Sequence, residues 1–233
     1  MARLARAVFP EVAHHVTQRG NGRARTFFGD GDYELYRSLL AENCAAAGVE
    51  VWAWVLMPNH VHLILVPADE DGLRRALAPT HRRYAGHVHA REKRSGHFWQ
   101  GRFGCVAMDD DHLAAALVYV ALNPVRARLV EQARDWRWSS VHALLGLVAG
   151  DGLTAAAAVL ERFPDLGDRI AAGEDQAMSD RLRKAEMIGR PVGAGDFIAG
   201  LELRSGRRLR PEKPGPKPRV NATDADQLDA LSP

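Results

Sequence analysis

Hydrophobic and polar positions along residues 1–147 fall into blocks of two different periods. Residues 11–19 (EVAHHVTQR) read as a short strand that stops at Gly20-Asn21-Gly22, a turn sequence. Over residues 32–48 the apolar side chains of Tyr33, Tyr36, Leu39, Leu40 and Cys44 recur at helical spacing. Residues 49–57 (VEVWAWVLM) are β-branched and aromatic, which predicts a strand with Trp52 and Trp54 on one face. Pro58-Asn59 breaks that strand, and residues 60–66 (HVHLILV) read as its hairpin partner. Residues 72–93 predict a helix interrupted or restarted at Pro79, and residues 98–108 a strand. Residues 111–122 are apolar nearly all round, the mark of a buried helix. Asn123-Pro124 is expected to end it, because a residue before proline avoids helical dihedrals. Residues 138–145 predict a further helix, with Gly146 as its stop. The order β-α-β-β-α-β-α with a central hairpin gives an α+β domain built on one antiparallel sheet.

Beyond residue 149 the texture changes. Residues 153–160 are rich in alanine, and residues 179–189 and 195–203 read as two short amphipathic helices around Gly189-Arg190-Pro191, a weak helix-turn-helix-like pattern. Residues 213–219 (KPGPKPR) are basic and proline-rich and are not expected to fold alone. The expected organisation is a domain over 1–147, a mostly helical basic extension over 148–210 and a disordered tail over 211–233.

Composition narrows the class. At 233 residues, 46% hydrophobic and 26% charged, the chain is ordinary globular protein. It has no apolar run near the ~18 residues a membrane helix needs, and its first residues carry too short an apolar stretch for a signal peptide. Cys44 and Cys105 make neither a disulfide framework nor a zinc cluster, so the expected location is the cytoplasm. The net charge of +2 conceals strong clustering. Residues 73–107 hold eight Arg/Lys against the single acid Glu92, and residues 204–219 hold seven against Glu212. Such blocks fit a polyanionic partner such as nucleic acid slightly better than a solvated helix face.

Candidate chemistry begins at His60-Val61-His62. In a strand, residues two apart point the same way, so both imidazoles share one face and can bind one divalent cation. Any two strand histidines have this arrangement, and two half-buried histidines satisfied by neighbours account for it as well. His87-Val88-His89 has the same spelling in a helical pattern. Residues two apart there diverge by about 200°, so His87 and His89 read as surface residues. Tyr119 lies in the apolar helix with Asn123 four residues on, the same face one turn down. It reads as a core tyrosine, or as a hydroxyl with polar company from Asn123.

Taken together and in order, MPNHVHL (57–63), FWQGRF (98–103), YVALNPVR (119–126) and Trp138-Ser139-Ser140 resemble the single-tyrosine HUH transposases, most closely the REP-associated tyrosine transposases. HVTQRGN (15–21) is similar to the family's first strand, and the resemblance covers about residues 8–147. It implies a ferredoxin-like fold, with a central antiparallel sheet flanked by helices. It also implies a divalent metal, Mg²⁺ or Mn²⁺, on His60 and His62, and Tyr119 as nucleophile. Asn123 falls where relatives place a third ligand, often Gln. The implied reaction cleaves and rejoins single-stranded DNA bearing hairpins, such as repetitive extragenic palindromes, through a 5′-phosphotyrosine. Tyr84, in the basic helix, is the rival nucleophile.

The DNA contacts expected from charge and family together are Arg19, Arg82, Arg83, Arg91, Lys93, Arg94, Arg102 and Arg126. Arg207, Arg208 and Arg210 are expected toward a hairpin stem. Trp99 is a stacking candidate or a packing residue. A catalytically silent nucleic-acid-binding regulator on the same fold, and a metallohydrolase with no covalent intermediate, are the alternatives. Relatives act as monomers or homodimers.

Overall fold

The computed structural model of the chain describes residues 6–210. Four strands, β1 (His14–Arg19), β2 (Val49–Met57), β3 (His60–Pro67) and β4 (Gly104–Ala107), form one antiparallel sheet in the order β2-β3-β1-β4. Helix α1 (Asp30–Ala47) joins β1 to β2, and α2 (Gly72–Glu92) joins β3 to β4. This is the α+β domain on one antiparallel sheet read from the element order, in the ferredoxin-like arrangement that the family resemblance implies.

Both helices lie on one face of the sheet. Val61, Leu63 and Leu65 of β3 and Val16 of β1 meet Tyr36, Leu40, Leu77 and Tyr84 there in one buried cluster. The N-terminus of α1 is tied in by Asp32, whose buried carboxylate accepts from Arg91 and from the Phe28 amide. Those contacts hold its pKa below the usual carboxylate value against the opposing effect of burial.

The opposite face packs under α3 (Asp110–Arg126), which starts at Asp109 with the side chain accepting from the His112 amide. Leu113, Leu117 and Val120 of α3 cover Ala53, Val55, Ile64 and Val106 of the sheet. The same cluster takes in Val159 of α5 (Ala156–Arg162), Leu166 and Ile170 of α6 (Leu166–Ala172), and Leu182 and Ala185 of α7 (Gln176–Ile188). Residues beyond 147 thus share the core of α3 instead of forming one of their own. Helix α8 (Gly195–Ser205) packs Ile198 and Leu201 on Phe9 and Ala107 at the β4 edge. The short α4 (Val141–Leu144) closes the remaining side of the sheet, with the Ser140 amide and hydroxyl bonded to the Trp54 backbone.

Four expectations change. Trp52 and Trp54 do not share a face: Val51 pairs with Leu65 and Ala53 with Ile64, so Trp52 is the extra residue of a β-bulge. The bulge sends Trp52 into the α3 core and leaves Trp54 in the α1–α2 core. Helix α2 runs unbroken through Pro79, because buried Ala76, Leu77 and Thr80 clamp it across the missing N–H. Helix α3 continues past Asn123-Pro124 to Arg126, the Ala127 amide bonding the Asn123 carbonyl. The strand expected over 98–108 is confined to β4, since residues 98–103 loop back so that the Asn21 and Gln100 amides bond Phe98 and Arg19 carbonyls. The helix-turn-helix-like pair corresponds to α7 and α8, which pack on different clusters. α5 and α6 went unpredicted. The stretch 213–219 and the tail 211–233 lie outside the described residues.

Candidate metal and nucleophile site

The register of the sheet assembles the site. Thr17 pairs with His62 and Arg19 with His60 across β1 and β3, while His15 pairs with Ile64. Cross-strand partners and residues two apart share a face, so His15, His60 and His62 all point toward α3. Val61, between the two histidines, is fully buried in the opposite core.

His60 is held by its neighbour. Its Nδ1 lies 2.6 Å from Asn59 Oδ1. Asn59 Nδ2 donates to the Arg23 carbonyl at 3.0 Å, which fixes the amide so that Oδ1 faces the ring. A carboxamide oxygen only accepts, so Nδ1 carries the proton and Nε2 keeps its lone pair for a ligand. His62 is buried and its Nδ1 is 3.0 Å from His15 Nε2, with the two rings stacked at 5.1 Å. Burial, followed by the charges of Arg19 and Arg126, drives the His60 pKa down to about 3. Burial and the neighbouring His60 and His15 hold His62 well below its ordinary value. Both are neutral imidazoles at neutral pH, the form that binds metal.

Tyr119 of α3 stands over this group, buried, with its ring edge-on to His62 at 5.4 Å and to His15 at 5.8 Å. Its position follows from helix geometry. Ala116 and Val120 face the sheet core, and Tyr119 sits beside them where β3 begins. The Arg126 guanidinium lies 4.2 Å above the Tyr119 ring and pairs with Glu174 at 3.4 Å. Burial and then the Glu186 carboxylate raise the tyrosine pKa, and Arg126 opposes them. Asn123 is buried one turn on in α3, and its Nδ2 has no hydrogen-bond partner among the described residues. An orphaned buried amide of this kind fits a side chain turned to give its carbonyl oxygen to a hard cation.

Beside the histidines opens a cleft of about 320 Å³. Thr17, Gln18, Arg19, Arg23, Gln100, Arg102 and Gly104 line it, together with His60, His62 and Glu186 of α7. His15, His62 and Glu186 form a group able to hold a metal ion, with their ligand atoms within 4.8 Å of one another. Sequence reasoning missed His15 and Glu186 as site residues. Strand alternation from His60 and His62 to the paired strand was a signal for His15. No local signal marks Glu186, which arrives through the packing of a distant helix.

The remaining candidates lie elsewhere. Tyr84 is buried on the opposite face of the sheet, its hydroxyl donating to the Thr26 carbonyl at 2.7 Å. Helix α2 and its end carry Arg82, Arg83, Arg91, Lys93 and Arg94 on that same opposite side; Arg83 pairs with Glu42, and Arg91 with Asp32 and Glu92. Arg19 and Arg102 alone of the basic candidates line the cleft. Arg207 donates to the Arg6 carbonyl and Arg210 to the Gly195 carbonyl, while Arg208 is exposed. His87 is exposed, but His89 is half-buried edge-on to Phe98 at 5.4 Å. Trp99 is half-buried, its indole N–H donating to the His81 carbonyl. Both cysteines are buried and burial lifts each thiol to about 12, so neither is reactive.

The chain is similar to known proteins over the part that carries the histidines and Tyr119. Residues 9–123 match the family model described as IS200-like transposase. Over 119 residues the chain is 30% identical to a Haemophilus influenzae protein described as a REP-associated tyrosine transposase, an alignment spanning 46% of this chain and 67% of that protein. This chain belongs to the REP-associated tyrosine transposases. Its fold is shared with a solved REP-associated tyrosine transposase bound to a REP hairpin, at a TM-score of 0.55 and 22% identity, over 63% of this chain and 86% of that one. The stretch of the transposase matched by the family model contains His15, His60, His62, Tyr119 and Asn123 and stops before Arg126 and Glu186. No helix among the described residues is long and apolar enough to cross a membrane.

Proposed function

We propose that this transposase is a metal-dependent single-stranded DNA endonuclease and strand transferase, acting on hairpin-bearing, REP-like DNA through a 5′-phosphotyrosine at Tyr119. The observation that carries this reading is the convergence of one tyrosine ring on two strand histidines, 5.4 Å from His62 and 5.8 Å from His15. His60, His62 and Asn123 would hold Mg²⁺ or Mn²⁺, which supplies charge stabilisation at the scissile phosphate when bound.

The protein's own groups do the rest. Burial makes the Tyr119 phenol a poor nucleophile, and the Arg126 guanidinium over its ring lowers the cost of phenolate as the proton leaves to solvent. The phenolate oxygen forms a bond to phosphorus, the P–O3′ bond breaks, and the departing oxygen takes a proton to become a 3′-OH. Attack by that 3′-OH, or another, on the phosphotyrosine reverses the bond changes and rejoins a strand with no energy source added. Arg19 and Arg102 hold the DNA backbone in the cleft. Residues 1–147 supply the reacting groups, and the helical extension over 148–210 braces α3 from behind.

The test is a covalent-adduct assay on a denaturing gel, with labelled single-stranded hairpin DNA from the sequences flanking the gene. The expected result is a shifted band with Mn²⁺ or Mg²⁺ that disappears with EDTA. Binding without any band would move the protein to the silent regulator, and cleaved products without a band to metal-bound water as nucleophile.

A second expectation separates the two sides of the sheet. Arg102→Ala should weaken binding of single-stranded DNA and reduce the slope of log affinity against log salt by about 0.7, the value for one phosphate contact. Arg82→Ala/Arg83→Ala, on the far face, should leave that slope unchanged. Gel-shift titrations over a range of salt read both. The reverse result would place the DNA along α2.

A further inference from the structure

The extension contributes one chemically distinctive group to the cleft. Among the lining residues Arg19, Arg23 and Arg102 are cationic, and Glu186 is the sole acid. A carboxylate in a cleft for phosphodiesters repels its substrate unless a cation takes up its charge. The side chain is nonetheless driven inward by its helix. In α7 the apolar seam runs through Leu182 and Ala185, both buried against α3, and residue 186 lies four past Leu182 on that seam.

The contact it makes there is with His15 of β1. Glu186 Oε1 and His15 Nδ1 stand 3.1 Å apart, and both atoms are buried with no other partner among the described residues. His62 Nδ1 and His15 Nε2 share one hydrogen bond, so with His62 as the ligand His15 Nδ1 carries a proton and holds the Glu186 carboxylate beside the site. His62 completes the group, one polar atom from each of the three side chains lying within 4.8 Å of the others. A carboxylate also supplies what two imidazoles and a carboxamide lack for Mg²⁺ or Mn²⁺, a hard anionic oxygen.

We infer that Glu186, positioned by His15, is a ligand of the divalent cation beside His62, so that the metal pins helix α7 to the catalytic sheet. The inference rests on the metal-dependent reading above. It adds to that reading a ligand from outside the family-matched stretch and makes docking of the extension depend on the metal.

The experiment uses the full chain and Mn²⁺ alone. Mn²⁺ binding is measured by the electron paramagnetic resonance signal of the free ion for the unaltered protein, Glu186→Gln and His60→Ala. Amide hydrogen exchange across residues 176–188 is followed with and without Mn²⁺. The expected result is at least tenfold weaker Mn²⁺ binding by Glu186→Gln, with Mn²⁺ slowing exchange in α7 of the unaltered protein and not of the variant. Equal affinity in Glu186→Gln alongside loss in His60→Ala would overturn the role of Glu186 and leave the metal centre standing. Failure of the unaltered protein to bind Mn²⁺ would overturn both. The exchange measurement on the unaltered protein stands whether or not the variant folds: α7 indifferent to Mn²⁺ overturns the inference.

Discussion

Tyr119→Phe should lose the covalent DNA adduct by at least about 10³-fold while keeping its fold and its affinity for hairpin DNA. Removing a nucleophile eliminates the bond-forming atom and leaves the binding contacts in place. The substitution deletes one oxygen from a buried ring whose packing against His15 and His62 is otherwise unchanged, so stability should shift by about 1 kcal/mol or less. Tyr84→Phe should give the opposite pattern. Its hydroxyl is the donor to the buried Thr26 carbonyl at 2.7 Å, and loss of that donor should cost about 1–3 kcal/mol. The adduct should persist, because the ring sits in the core on the other side of the sheet. Adduct gels and thermal melts of the two variants, run side by side, decide the matter. An adduct lost in Tyr84→Phe and kept in Tyr119→Phe would reverse the assignment.

The second large effect is acid lability. His14 and His81 are buried, and desolvation drives their pKa values down to about 4 and about 3. His14 uses both nitrogens as a neutral ring: Nδ1 donates to the Val12 carbonyl at 2.7 Å, and Nε2 accepts from the Phe9 amide at 3.2 Å. A second proton would set two donors against each other. His81 Nε2 lies 3.0 Å from the Tyr36 hydroxyl in an aromatic pocket. Because each folded pKa lies below the unfolded value near 6.5, the unfolded chain binds more protons as pH falls. The stability is therefore complete above pH 6.5 and lost progressively toward the folded values. At about 1.4 kcal/mol per pH unit and group, the two histidines together cost roughly 4 kcal/mol at pH 5. That is a large part of a typical folding free energy, and for a chain of this size it corresponds to a Tm lower by about 10–15 °C. His60 and His62, also depressed, steepen the fall in metal-free protein. Melting curves in EDTA at pH 7, 6 and 5 test this. A Tm constant across that range would contradict the burial of neutral histidines.

Much of this was legible from the residues because strand alternation and helical spacing are local. His60 and His62 had to share a face once residues 60–66 formed a strand, and Asn123 had to lie one turn after Tyr119. The FWQGRF segment is different. It has the composition of a strand, but its backbone bonds cross to Arg19 and Asn21 in a loop. Trp52 and Trp54 were misplaced because a bulge depends on the pairing partner, and nothing within residues 49–57 marks it. Pro79 and Pro124 read as breaks by local propensity, and tertiary packing carried both helices past them. The cationic run on α2 was legible as charge, but charge alone does not tell which face of the sheet it occupies. Glu186 was out of reach for the same reason, since its place depends on how α7, far downstream of Tyr119, seats against α3.

The core under α3 joins two stretches of the chain. Leu113 and Leu117 of that helix share their cluster with Val159, Leu166, Ile170 and Leu182. A break in the gene near codon 147 would strip the outer cover from the helix that bears the nucleophile and expose its apolar side to water. In this chain the βαββαβ half and α5, α6 and α7 therefore bury one another's apolar surface as a unit, and a substitution along the α3 seam is felt on both sides of that boundary.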